Sequence, residues 1–332
     1  MPRRPISFEG RPLLDIASYA RRGPGRRERL SPAEIEHISL TVHRTPEVMV
    51  KVLTRGGQDT GAVRRHFEYL NRKGELEIET DDGQQLVGNG VERDLIDDWD
   101  LDIEEDRPSA RLNARSGRAP PKLVHKVLFS MPPGTPPRKV LEAVKNFARE
   151  EFGMKHRYAM VLHTDEPHPH VHIVIKAVSE QGERLNIRKA TLREWRREFA
   201  RHLRALGVSA NATERAVRGE TRSPKRDGIY RAEQRAECWR VRKLVEDVGR
   251  KVISGKLPVE PGKQILSETR KAIELGWRAA SEILTAKGQR GLAKDIMQFI
   301  GRMPPPRTDW EIIAGDLRTY SRSARAREGP VR

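Results

Sequence analysis

The chain has one cysteine, Cys238, in 332 residues. That excludes a disulfide framework and a cysteine-ligated zinc site, and it fits a reducing compartment. Long apolar runs are missing as well. None approaches the roughly 18 residues that a membrane span needs, and the N-terminus MPRRPISFEGRPLLDIASYARRG has no secretory apolar segment, so the expectation is a soluble, cytoplasmic protein without membrane insertion. Hydrophobic residues make up 36% of the chain, with five Trp and seven Phe, and the mean hydropathy is −0.71. A packed core is expected in part of the chain, not throughout. Acid is the scarcer charge: 47 Asp and Glu stand against 64 Lys and Arg, a formal charge of +17. A polyanion is the expected partner.

The charges are segregated. Residues 183–226 hold 13 Lys and Arg against 5 acids, whereas residues 92–106 hold 9 acids and one Arg. A surface that tracks phosphates needs such separation.

Residues 1–45 read as a basic arm with a short helical candidate at 31–38, opened by Ser31 and Pro32. From residue 46 the pattern becomes that of a folded domain. EVMVKVL (47–53) reads as a strand; Asp59 or Thr60 then caps a helix over 61–73 that stops at Gly74, and ELEIET (75–80) alternates as a second strand. Residues 92–121 are expected as an acidic, flexible insertion. Next come a strand from 123 into a Pro-Gly loop, an amphipathic helix over 137–153, and strands at 158–163 and 170–178 that form an antiparallel hairpin. A helix over 191–207 puts Leu192, Trp195, Phe199, Leu203 and Leu206 on one face, leaving Arg196, Arg197 and Arg201 to face nucleic acid. The domain is drawn as 46–235, with 236–332 a helical C-terminal region ending in a basic tail.

Four of the ten histidines fall in HTDEPHPHVH, residues 163–172. On a strand, His170 and His172 project from the same face, about 7 Å apart. If the preceding strand returns antiparallel, His163 lies beside His170 and completes three nitrogen ligands on one side of a divalent ion, leaving positions open for substrate. Asp165 can accept the second ring N–H of a liganding histidine and so fix its tautomer. His168, between two prolines, belongs to the loop. Val171, Ile173 and Ile175 make the opposite face apolar, so the histidine face is expected to look outward.

On the 61–73 helix Val63, Phe67 and Leu70 form the apolar stripe. Tyr69 stands about 120° from it, among Arg65, His66, Arg72 and Lys73, cations that attract phosphate.

The ordered segments FEYLNRKGELEIE, HKVLFSMPPGT and HTDEPHPHVHIVI resemble the three motifs of the conjugative relaxases, mobilization nucleases of the HUH type. The P-type branch, with the T-DNA border endonuclease, is the most similar, and the likeness covers about residues 46–235. It implies Tyr69 as the nucleophile that attacks DNA, Ser130 as a DNA contact, and His163, His170 and His172 as metal ligands with Asp165 behind them. Lys176 departs from the pattern, standing where an asparagine is common, and His125 matches a common family histidine with no role attached.

The expected fold is α+β, a central, mainly antiparallel sheet with helices on one face and a C-terminal helical region. The expected activity is nicking and rejoining of single-stranded origin-of-transfer DNA through a 5′-phosphotyrosyl intermediate, with Mg²⁺ or Mn²⁺ as cofactor. Partners would be that DNA, accessory relaxosome proteins and a type IV secretion coupling protein, and the protein could travel with the DNA into a recipient. A rolling-circle initiator and a non-catalytic DNA-binding accessory are the competing functions.

Overall fold

The computed structural model describes residues 16, 30–53, 56–106, 119–220, 239–255, 260 and 262–327. The basic cluster at 21–29, residues 107–118 of the expected insertion, residues 221–238 and the last five residues lie outside this set. In chain order the elements are α1 (Pro32–Val42), β1 (Met49–Leu53), α2 (Thr60–Leu70), β2 (Ile78–Thr80), β3 (Gln85–Leu86), α3 (Val91–Asp98), α4 (Leu101–Glu105), β4 (Val124–Ser130), α5 (Pro137–Glu151), β5 (Tyr158–His163), β6 (His170–Lys176), α6 (Lys189–Ala205), α7 (Trp239–Ile253), α8 (Gly262–Ala286), α9 (Arg290–Gly301) and α10 (Asp309–Arg327). Contacts divide the chain into two units, one holding 44–212 and the other holding 13–43 with 213–332. Composition had suggested boundaries at 45 and 235.

In the first unit the strands form one sheet in the order β1-β4-β6-β5-β2-β3, with antiparallel pairing throughout. Directly paired residues share a face, so the register sorts the side chains into two surfaces. One carries Val50, Val127, Phe129, Met160, Val171, Ile173 and Ile175, on which α5 and α6 pack through Val144, Phe147, Trp195, Phe199 and Leu203. Phe129 meets Phe147 and Phe199 with ring centroids 5.0 and 5.2 Å apart.

The other surface is covered in part as well, so helices on one face alone describes only the long pair α5 and α6. Val63, Phe67 and Leu70 of α2, Leu95 and Ile96 of α3 and Trp99 at its end pack against Val124, Ala159, Val161 and Val174. The acidic stretch that began the expected insertion is therefore helical over 91–98 and 101–105. Its apolar residues Leu95, Ile96, Trp99 and Leu101 are buried in this second core while most of its acids face solvent.

Helix α2 begins as expected, with the Asp59 carboxylate accepting from the Ala62 N–H at 2.6 Å. It ends three residues early. Arg72 and Lys73 take left-handed φ angles of 51° and 59°, and Gly74 follows at 93°, where a side chain would collide with the backbone of Gly88 at 2.7 Å. Those non-glycine conformations, three and four residues after Tyr69, are strained backbone at the end of its helix.

The second unit is helical. Its core holds Ile38 of α1, Trp277 and Leu284 of α8, Ile296 and Phe299 of α9, and Val217. The expected arm thus ends in a true helix, with Ser31 and Glu34 forming a reciprocal capping box. Trp277 Nε1 donates to the Val217 carbonyl at 2.9 Å.

Candidate metal centre and its tyrosine

The hairpin brings the three histidines together because β5 and β6 pair with His163 opposite His170. His172 follows two residues along the same strand face. The ring centroids of His163, His170 and His172 are 4.9 to 5.3 Å apart, and one ligand atom from each falls within 4.8 Å of the others. The hairpin thus gathers the three histidines on one face.

The hydrogen bonds assign the tautomers. A carbonyl can only accept, so His163 Nε2 donates to Leu70 O at 2.8 Å and His170 Nδ1 donates to His168 O at 2.9 Å. Lone pairs are left on His163 Nδ1 and His170 Nε2. His163 Nδ1 and His172 Nδ1 are buried without a partner, a costly state unless something binds there. Burial depresses the His163 pKa, and burial followed by the nearby His163 and His170 lowers that of His172 to about 3. Neutral nitrogen donors aimed at one point fit a divalent cation.

The tautomer-fixing role expected of Asp165 falls to main-chain carbonyls instead. Asp165 ion-pairs with Arg72. Burial is the largest single influence and raises its pKa, but the Arg72 charge and hydrogen bond, a backbone hydrogen bond and His163 together hold the carboxyl below its ordinary value. Asp165 sits on the loop after β5, where its side chain meets the guanidinium.

The histidine face was expected to look outward. His163 and His172 are buried, because α2 overhangs them with His66 and Tyr69. Tyr69 is 51% exposed and its ring lies 6.3 Å from His163 and 6.5 Å from His172. The Arg72 guanidinium carbon stands 5.0 Å from the ring centroid of Tyr69. Arg65 and Lys73 are exposed on the same helix and its end. Ser130 pairs with His170 on β4, in the row of the ligands, and is buried.

His66 was counted among the cations around Tyr69, and that is corrected. Burial, with Lys126 and His163 nearby, lowers its pKa to about 3. It stacks on Tyr69 at 6.3 Å, meets His172 edge-on at 6.3 Å, and leaves Nε2 buried without a partner. Its spacing of three from Tyr69 on a helix was the available signal.

These depressed values carry a sign. His66 and His172 bind a proton at about 6.5 when unfolded and only near 3 when folded. Their contribution to stability is present above pH 6.5 and is lost as pH falls toward 3. The metal-free protein is expected to lose up to about 1.4 kcal/mol per pH unit for each group in that window. Thermal unfolding in EDTA between pH 7 and 4 measures it, and His66→Gln should flatten the slope; an unchanged slope contradicts the assignment.

The three α6 arginines lie elsewhere. Trp195, Phe199 and Leu203 bind α6 to the sheet face opposite the histidines. Arg196 donates to Val50 O at 3.1 Å, Arg197 pairs with Glu194, and Arg201 bridges Glu198 at 2.7 Å and Glu150 at 2.5 Å. Glu150, Glu198 and His202 also gather potential ligand atoms within 4.8 Å, but the Arg201 guanidinium already occupies both carboxylates.

Residues 69–208 match the family model described as "Relaxase: MobA/VirD2-like, nuclease domain". The chain is 25% identical over 209 residues to the T-DNA border endonuclease VirD2 of Rhizobium radiobacter, covering 59% of this chain and 48% of that protein. It is also 25% identical over 218 residues to the VirD2 of Agrobacterium fabrum strain C58, covering 59% and 46%. The chain thus matches about half the length of these relatives. Among the described residues no helix is long and apolar enough to cross a membrane.

Proposed function

We propose that the protein nicks and rejoins single-stranded DNA at the origin of transfer of a plasmid or mobile element, a reading supported by the match of residues 69–208 to the MobA/VirD2-like relaxase nuclease model and by the similarity to VirD2. The observation that carries this reading is Tyr69, half exposed at the rim of three convergent imidazoles. The Tyr69 oxygen forms a bond to phosphorus and the P–O3′ bond breaks. The phenolic proton passes to solvent and the departing 3′ oxygen takes one up. The enzyme keeps a 5′-phosphotyrosyl ester of similar energy, so the reverse attack by a 3′-hydroxyl reseals the strand without ATP.

His163, His170 and His172 would hold a divalent cation, Mg²⁺ or Mn²⁺ in the cell, which when bound polarises a phosphate oxygen and stabilises charge in the transition state. The carbonyls of Leu70 and His168 keep the imidazoles in the tautomers that this needs. Arg72, set between Tyr69 and Asp165, is placed to take a second phosphate oxygen. Arg65 and Lys73 contribute weaker, screened attraction, and Ser130 lines the strand beside His170. Accessory relaxosome proteins, a coupling protein and passage into a recipient belong to the same proposal. Incubating the protein with labelled single-stranded DNA from around its gene, with Mg²⁺ or EDTA, tests it: cleavage with a covalent protein adduct is expected, and metal-independent cleavage or none overturns it.

Neutralising Arg196, Arg197 and Arg201 together is expected to leave nicking within about twofold and the salt dependence of binding unchanged. Their charges are matched by Glu194, Glu198 and Glu150 or tied to the backbone. Titrations at several salt concentrations check this. A flatter slope would return the DNA surface to α6.

A further inference from the structure

On the histidine face, the register lays down two adjacent rows running from the metal centre to the terminal strand β1. One is His163, His170, Ser130, Met49; the next is Val161, His172, Leu128, Lys51. Neighbouring strands are about 4.8 Å apart, so Met49 and Lys51, two strands away, lie about 10 Å from His170 and His172. An extended single strand crosses that distance in a nucleotide or two.

Helix α2 covers the neighbouring part of this face through Val124, Val174 and Ala159, and it leaves the β1 end uncovered. Met49 is 46% exposed although it is large and apolar. Leu128 is half-buried and Lys51 is exposed. The core does not require these side chains, since Val50 and Val52 hold β1 to the other face. No position in either row is acidic, and among the described residues Lys51 has no ion-pair partner. A cationic, partly apolar strip continuous with the metal centre matches the chemistry of single-stranded nucleic acid, which offers phosphates on one side and apolar base faces on the other.

We infer that Met49, Leu128 and Lys51 form the track for one arm of the DNA strand flanking the scissile phosphate. Lys51 takes a backbone phosphate, and Met49 with Leu128 is the floor on which a base rests, the soft thioether adapting to any base. The inference rests on the nuclease reading, and it adds the route of the substrate.

The test uses the full chain with Tyr69→Phe, which keeps the oligonucleotide intact, and fluorescence anisotropy on a labelled single strand from around the gene. Lys51→Gln is expected to weaken binding several-fold and lower the salt slope by about 0.7, and Lys51→Arg to restore both. Met49→Ser should cost a few-fold with little change in slope. Removing the arm that lies on the track should weaken binding by the Lys51 protein but cost Lys51→Gln little more. Affinity unchanged in Lys51→Gln, or equal further losses on trimming either arm, overturns the track. If the parent protein with Tyr69 intact binds the strand but does not cut it, the nuclease reading fails and the binding series still decides the track. If it binds no single strand, both fail.

Discussion

Tyr69→Phe is expected to abolish covalent attachment to DNA and to lower nicking at least about a thousandfold, while single-strand affinity stays within about twofold. The substitution removes one oxygen from a ring that is 51% exposed, so it neither opens a cavity nor strands a buried partner, and Arg72 can still sit against the ring at 5.0 Å. Loss of activity would then be loss of the nucleophile. Tyr158, which begins the strand leading to His163, is the tyrosine to exclude. It is buried on the opposite sheet face, 6.2 Å from Phe152 between ring centroids, and burial, with Asp81 nearby, pushes its pKa up to about 12. Tyr158→Phe should keep the adduct. Peptide mapping after reaction with a labelled oligonucleotide decides the matter, and a modified Tyr158 would sink the assignment.

His170→Ala and His172→Ala each remove one of three nitrogen donors and are expected to lower Mn²⁺ affinity more than about a hundredfold, since altering only an outer partner of a metal ligand costs 10- to 100-fold. Nicking should fall with it. His168→Ala is the discriminating control. The His168 side chain is exposed, and its contribution is the carbonyl that accepts from His170 Nδ1 at 2.9 Å, which alanine retains. Calorimetric Mn²⁺ titration should therefore find His168→Ala within a few-fold of the parent. Equal loss in all three variants would make the loop histidine a ligand. EDTA should abolish nicking and added Mn²⁺ or Mg²⁺ should restore it.

The histidine triad was legible because its determinants are local: period-two alternation puts His170 and His172 on one face, and a short hairpin has few ways to return His163. Tyr69 was legible as a residue off the apolar stripe, but its meeting with the histidines depends on how α2 lies across the sheet. Asp165 misled because sequence distance was taken for spatial direction; the carbonyl that holds His163 belongs to Leu70, 93 residues away. A backbone carbonyl leaves no mark in a sequence. The acidic stretch misled for another reason. Its charge count masked the spacing of Leu95, Ile96, Trp99 and Leu101, four side chains sufficient to bury one side of two short helices.

By itself the amino-acid sequence determined the α+β class, the antiparallel hairpin, the three imidazoles and the sidedness of α2 and α6, since all of these follow from periodicities of 2 and 3.6 and from capping chemistry. Which side of the sheet each helix covers was decided only by the tertiary structure. The stripe Leu192, Trp195, Phe199 required that α6 bury a face, but both sheet surfaces offered apolar partners. Only the packed core, with Phe129, Phe147 and Trp195 interlocked, set α6 and its arginines against the surface away from the histidines. The same choice left the other surface to α2, which brought Tyr69 to the three histidines and left Met49 and Lys51 open, because a sheet has two faces and long-range packing alone assigns them.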